Sequence, residues 1–406
     1  DYTILAPDIF PTHMELLVEV FRLYGYRVEV LHDEGPAVIG AGLKYLHNDM
    51  CYPATCAVGQ QLYALTSGKY DPHKVALIQF QTGGGCRASN YIFLLRKALH
   101  NMNMDYVPVI SLSFGGYEHY SGFKITPKML FTGLRSLIYG DMLLLLKNQC
   151  LPYEAHTGDT MAVVHQWIAE LTEQFRRGQG LSARDMQRNL SAMAKDFHEI
   201  GRVPRSCTKV GIVGEIYVKY SSFGNNGLEQ FLLSQGCEYM VPGVLGFFQY
   251  CFANIEMDHS YYGGSLVKLL VGRKAEKIAA SWEDWLIEAL KPYPEFVPPV
   301  SFEKVKELAD RVIDRGVKMG EGWLLPGEAA EMIEKGYTNI ICAQPFGCLP
   351  NHIVGKGTIR RLRELYPDAN IFPGDYDSGA SKVNQENRIK LMLAMAKEAD
   401  HETVRA

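Results

Sequence analysis

Four of the chain's nine cysteines sit in segments that could do chemistry. Cys51 lies in Asn48-Asp49-Met50-Cys51-Tyr52-Pro53 and Cys86 in Gly83-Gly84-Gly85-Cys86-Arg87. Cys342 and Cys348 share Cys342-Ala343-Gln344-Pro345-Phe346-Gly347-Cys348-Leu349-Pro350. Each place reads as a loop at the end of a strand or the start of a helix, and none as a core position. Thiolates gathered on such loops are what an iron–sulfur cluster needs. Cys51 and Cys86 stand just before predicted helices, where free N–H groups and the helix dipole stabilise a thiolate. Gly83, Gly84 and Gly85 would let backbone approach a cluster without side-chain clash and donate N–H bonds to its sulfide. The same triplet also reads as an ordinary strand–helix turn or a phosphate loop. Zinc is a competing metal. However, the chain has no C-x-x-C knuckle, and these thiols are scattered from Cys51 to Cys348.

The other five cysteines divide. Cys56 falls in the first turn of the helix after Cys51, and Cys251, in Gln249-Tyr250-Cys251-Phe252, follows a predicted strand. Both are open to two readings, metal ligand or core filler. Cys150, Cys207 and Cys237 read as core or strand-edge residues. Asp375-Tyr376-Asp377-Ser378-Gly379 follows a predicted strand and reads either as a source of an acid or donor, or as a turn capping the last helix. Glu215 at a strand end and His352 after Cys348 are similar cases. Gly211 and Gly214 resemble part of a dinucleotide turn, but the full G-x-G-x-x-G is absent, as are a Walker-type loop and H-E-x-x-H.

Bulk properties narrow the classes. A chain of 406 residues suits two or three domains. It is 47% hydrophobic and 21% charged, with a net charge of -4, which gives no sign of nucleic-acid or anionic-membrane binding. The longest apolar stretch, Met142 to Leu146, is far too short to span a bilayer. Nine cysteines in a long chain do not make a disulfide scaffold, so a reducing cytoplasm with metal-bound thiolates is expected. The chain begins at Asp1 rather than Met, and its first residues already read as a strand; it is expected to be a piece of something longer.

The elements that must position these residues are legible as periodicity. Strands are predicted at Tyr2–Ala6, Arg27–Leu31, Val75–Phe80 and Val107–Leu112, with helices at Met14–Tyr24, Pro53–Leu65 and Ser89–Leu99. Helical periodicity alone follows, over Lys128–Lys147, Met161–Arg176 and Arg184–His198. Alternation returns with strands at Val210–Gly214, Cys237–Pro242, Thr338–Cys342 and Ala369–Phe372. The helices there are Gly227–Gln235, Lys356–Tyr366 and Gln385–Lys397, with a helical insertion from roughly Ser265 to Arg315. The fold class is therefore α/β. Two Rossmann- or flavodoxin-like parallel-sheet domains, 1–124 and 207–406, are joined by a helical connector, 125–206, with the cysteines facing a cleft between them.

These motifs resemble the 2-hydroxyacyl-CoA dehydratase superfamily of iron–sulfur proteins over nearly the whole length. Gly214-Glu215-Ile216-Tyr217 followed by Asn225-Asn226, and Pro345-Phe346-Gly347-Cys348-Leu349-Pro350, carry that resemblance. Asn48 to Pro53, Thr82 to Arg87, and Asp375-Tyr376-Asp377 followed by Asn384-Gln385-Glu386-Asn387-Arg388 look most like the double-cubane cluster proteins and the C-terminal regions of fused activase-related proteins. The resemblance implies an oxygen-sensitive cluster between two α/β domains, reduced by a separate ATP-hydrolysing [4Fe–4S] activase. Dehydratases hold a [4Fe–4S] cluster with three Cys; double-cubane members hold [8Fe–9S] with six. Cys51, Cys86, Cys342 and Cys348 map on the motifs, and Cys56 and Cys251 are best placed to complete six.

The expectation is an iron–sulfur reductase component, cytoplasmic and homodimeric, that receives electrons from an activase and reduces a small substrate. Arg87 and the Gly83–Gly85 backbone would stabilise the cluster's negative charge. Glu215, His352, Asp375 and Tyr376 would donate protons or support the ligands. A dehydratase subunit with a [4Fe–4S] cluster is the alternative, and a non-catalytic electron-transfer module the second. No nucleic acid or membrane is expected as a partner.

Overall fold

The computed structural model describes residues 2–47, 49–82, 85–112 and 122–405, without the side chains of 397–405. Asn48, Gly83 and Gly84 lie outside the described residues.

The first half folds as β1 (Thr3–Pro7), α1 (Pro11–Leu23), β2 (Val28–Leu31), α2 (Pro36–Tyr45), α3 (Tyr52–Thr66), β3 (Val75–Phe80), α4 (Tyr91–Asn101) and β4 (Val109–Leu112). The strands are parallel in the order β2-β1-β3-β4. Val75 to Ile78 are buried, as expected of a parallel strand covered on both faces. Helix α2 was not apparent in the sequence, because Gly40 and Gly42 weaken helical propensity. Packing overrides that weakness: a Cβ at Gly42 would stand 2.2 Å from the Thr55 carbonyl oxygen, and one at Gly59 would stand 2.5 Å from that of Val38. The two glycines let α2 and α3 touch backbone to backbone.

Three helices follow, α5 (Pro127–Cys150), α6 (Asp159–Arg176) and α7 (Ala183–His198). Among the described residues, Pro127–Tyr153 is the one helical segment long and apolar enough to cross a bilayer, but 72% of its apolar window is buried inside the protein. It packs on α1, α6, α7 and the second sheet, as a core helix does.

The second half contains β5 (Thr208–Gly214), α8 (Ile216–Tyr220), α9 (Leu228–Ser234), β6 (Cys237–Met240), α10 (Leu245–Tyr262), α11 (Leu266–Leu290), α12 (Phe302–Asp310), α13 (Leu324–Glu334), β7 (Asn339–Pro345), α14 (Ile359–Leu365), β8 (Asn370–Tyr376) and α15 (Lys382–Arg405). Its sheet is parallel in the order β6-β5-β7-β8, the same winding as the first. The two-domain α/β fold is thus present, with a strand-order reversal between β1 and β3 and another between β5 and β7.

Three local readings are corrected. The helical insertion starts at Leu245, not near Ser265, so Cys251, which does follow a strand, sits within it on α10. Strand β7 runs on to Pro345, so Cys342 lies inside it. Strand β8 runs on to Tyr376, so Asp375 and Tyr376 are strand residues. Prolines misled the sequence reading in both strands. Pro345 is the last residue of β7, and Pro373 sits in β8 at the sheet's edge, both places where a missing N–H is tolerated.

One carboxylate ties the layers together. Asp141, buried on α5, accepts the N–H groups of Val244 at 2.6 Å and Leu245 at 3.0 Å and so caps α10. It also bonds His13 Nε2 of α1 at 2.8 Å. Helix α10, which carries Cys251, is therefore positioned from the connector and the first domain.

Candidate metal centre

The cysteine segments converge across the two domains. The Tyr52 N–H, at the start of α3, donates to the Phe346 carbonyl at 3.0 Å. Gly347, at φ +71°, lies on the Cys51 backbone: a Cβ there would stand 3.0 Å from Cys51 Cα. The Arg87 guanidinium donates to the Asp49 carbonyl, closing the Cys86 segment on the Cys51 segment. The Gly85 N–H approaches Met319 Sδ at 3.1 Å. A Cβ at Gly320 would meet Pro350 at 2.4 Å. Segments around Cys51, Cys86, Gly320 and Cys348 thus form one junction.

Two buried carboxylates border it. Glu215 accepts the Val218 N–H at 3.0 Å and Glu321 accepts the Ile216 N–H at 3.0 Å, so both cap the first turn of α8. They are 8% and 6% exposed, so neither is solvated. Burial, and for Glu215 also the Glu321 charge, raises both above the ordinary glutamate range.

The charge of Glu215 acts on Cys51, Cys56, Cys86 and Cys348. That of Glu321 acts on Cys86, Cys251, Cys342 and Cys348. Each of the six candidate thiols thus feels the charge of at least one of these two carboxylates, and Cys86 and Cys348 feel both. Cys150 instead senses Arg202, Glu295 and Glu154, and Cys207 senses Arg205 and Glu238. Cys150 and Cys237 are fully buried core residues.

The candidate thiols are less exposed than loop ligands were expected to be. Cys51, Cys56, Cys342 and Cys348 are buried, and Cys86 and Cys251 half-buried. Burial pushes the Cys51 thiol up to about 11 and those of Cys86, Cys251 and Cys342 up to about 12; Cys56 and Cys348 rise further. Without a cation these sulfurs are neutral thiols, whereas a bound metal deprotonates them outright.

Polar groups are already aimed at the sulfurs. Tyr91 Oη is 2.9 Å from Cys51 Sγ. Asn351 Nδ2 donates to Cys348 Sγ at 3.5 Å, and Gln344 Nε2 approaches Cys342 Sγ at 3.8 Å. The Ala88 N–H donates to Cys86 Sγ at 3.5 Å. Such donors favour thiolate and tune a cluster's potential. Among the described residues no group of three or more His, Cys, Asp or Glu is close enough to hold one metal ion. A cluster distributes its thiolates over several irons instead.

The remaining candidates lie at different depths. Tyr376 is buried, and its carbonyl accepts the Phe346 N–H at 2.7 Å, so it supports the Cys348 loop. Asp375 is half exposed and paired with Lys356 at 2.9 Å and Arg388 at 3.8 Å. His352 is exposed, and its backbone N–H bonds the Cys348 carbonyl at 3.1 Å. Gly85 and Arg87 border the junction, while Gly83 and Gly84 fall outside the described residues.

Sequence reasoning missed Glu321, Tyr91, Gln344 and Asn351. For Glu321 a signal existed: it is flanked by Gly320 and Gly322, both at positive φ, which marks a tight turn presenting one acid. Compared with known proteins, the chain matches no family model and no curated sequence.

Proposed function

We propose that this chain is an iron–sulfur reductase component that receives low-potential electrons from a separate ATP-hydrolysing activase and reduces a small substrate. The observation that carries the reading is the meeting of the Cys51, Cys86 and Cys348 segments at one junction, where the charges of the buried Glu215 and Glu321 also reach Cys56, Cys251 and Cys342. Six gathered thiols fit a double-cubane [8Fe–9S] cluster better than the three that a dehydratase [4Fe–4S] cluster takes. Such a cluster, when bound, supplies storage and transfer of low-potential electrons.

The chain's own residues supply the rest. Glu215 and Glu321, both raised above the ordinary glutamate range by burial, would hold protons available beside the thiols. The Arg87 charge lies toward Cys51, where it offsets thiolate charge. Gln344 and Asn351 orient their sulfurs, and the packing of Gly347 on Cys51 excludes water. Nine unpaired cysteines suit a reducing compartment, hence the cytoplasm. A second copy of the chain is the expected assembly partner.

Anaerobic purification with iron and acid-labile sulfide counts tests the reading. Close to eight irons per chain are expected, as the double-cubane resemblance implies. Stoichiometric zinc without sulfide overturns it.

A further inference from the structure

The Asn225-Asn226 motif divides between two tasks. Asn226 adopts φ +58° and donates to Gln385 Oε1 at 2.7 Å, while Gln385 Nε2 bonds the Asp375 carbonyl at 2.7 Å. It anchors α15. Asn225 lines a cavity of ≈ 110 Å³ together with Thr12, Lys147, Ser222 and Glu229. The cavity brings together the start of α1, the connector helix α5 and the segment between α8 and α9.

Two independent features point to a ligand there. Helix α1 opens just beyond the carboxyl end of β1, beside the strand-order reversal where open α/β sheets bind ligands. No side chain caps this helix, Pro11 occupies its first turn, and the Thr12 N–H has no backbone partner among the described residues. Among the described residues it is the single free N–H of this turn, since those of His13 and Met14 bond the Phe10 carbonyl at 2.8 and 2.9 Å; a free N–H at a helix start attracts anions. The second feature is Asn225 itself, 2% exposed. Its Oδ1 accepts the Leu228 N–H at 3.0 Å, yet its Nδ2 is buried without a partner. A buried donor left unpaired costs about 1–3 kcal/mol.

Charge and size narrow the class. Lys147 Nζ lies 3.3 Å from Glu229 Oε2, so its charge is largely balanced within the cavity. The site is rich in donors but has little surplus positive charge, which suits a monoanion better than a dianion. A volume of ≈ 110 Å³ is well below that of a cofactor pocket. We propose that this cavity binds the carboxylate of a small organic acid, held by the start of α1, Asn225 Nδ2 and Lys147. The site is separate from the six thiols and does not rest on the cluster reading.

The test titrates the anaerobically purified full chain with acetate and, separately, with inorganic phosphate, using ligand-observed NMR. Saturable acetate binding is expected. Asn225→Asp keeps the oxygen that caps α9 but replaces the donor by an acceptor, and should weaken acetate at least tenfold; its melting temperature is measured alongside, because a carboxylate at a position 2% exposed also costs stability. Lys147→Gln should weaken it severalfold, and decides the matter if Asn225→Asp does not fold. Absence of saturable acetate binding, equal binding by the variants, or phosphate binding more tightly than acetate overturns the proposal. Binding is read without iron or reductant, so its failure is distinct from failure of the cluster reading.

Discussion

Gly347 and Cys51, from opposite domains, are in backbone contact: a Cβ on Gly347 would stand 3.0 Å from Cys51 Cα and 3.2 Å from its nitrogen. Gly347 also has φ +71°, a conformation that side chains resist. Gly347→Ala therefore meets both strain and collision. Destabilisation of roughly 1–3 kcal/mol is expected, from off-region backbone and overpacking together. Because the contact joins the Cys51 and Cys348 segments, iron retention should fall more than stability does. Urea denaturation and iron counts on the same preparation measure the two effects; full iron content would show that this contact does not shape the site.

The ligand assignment separates two groups of buried cysteines. Cys86→Ala and Cys348→Ala remove thiols at the Glu215–Glu321 junction and should lose most of the iron. Cys150→Ala and Cys237→Ala remove fully buried core sulfurs elsewhere. They should keep the iron while costing a stability increment typical of a small core cavity, on the order of 1 kcal/mol. Cys56→Ser and Cys251→Ser decide nuclearity: if both are harmless and iron stays near four per chain, the single-cubane alternative gains.

The fold was legible because parallel strands covered on both faces read as short apolar runs, as Val75 to Ile78 do. Proline placement marked the starts of helices but concealed the ends of β7 and β8, since the edge position of Pro373 is a fact of sheet order. Helix α2 was hidden because the glycines that make it packable also make it look like a loop. At the site, the loops bearing Cys51, Cys86 and Cys348 were legible from local motif chemistry. Cys251 was misplaced because its helix is set by Asp141, more than a hundred positions away in sequence. For Glu321 the flanking glycines marked a turn, but only tertiary structure brings it to the N-terminus of α8.

Glu283 gives a pH dependence away from the thiols. Burial, with the Glu331 charge adding to it, pushes its carboxyl up to about 7, although the Phe302 N–H bonds it at 2.9 Å. A carboxyl raised in the folded state holds its proton longer there than in the unfolded chain. Its contribution is therefore complete below the ordinary glutamate value and is lost as pH rises toward about 7. The slope should approach ~1.4 kcal/mol per pH unit across that window. Glu283→Gln removes the titration, so wild type and variant should diverge from pH 5 to pH 7, with the variant relatively more stable at the upper end. Parallel denaturation curves at all pH values would exclude this carboxyl as the source.

Lys219 and Glu328 form a buried ion pair at 3.0 Å, with side chains 3% and 4% exposed. Lys219 is on α8, whose first turn both Glu215 and Glu321 cap, and its charge also lowers those two carboxyls. It is thus the cation that balances a group of buried acids. Lys219→Met leaves Glu328 without its partner and should cost about 3–5 kcal/mol, as breaking a buried pair does. Combining it with Glu328→Gln removes the orphaned charge and should recover a large part of that loss. A double variant as unstable as Lys219→Met alone would mean that the lysine acts through Glu215 and Glu321 rather than through Glu328. Chemical denaturation of the four proteins of this cycle, at one pH and salt concentration, gives the coupling directly.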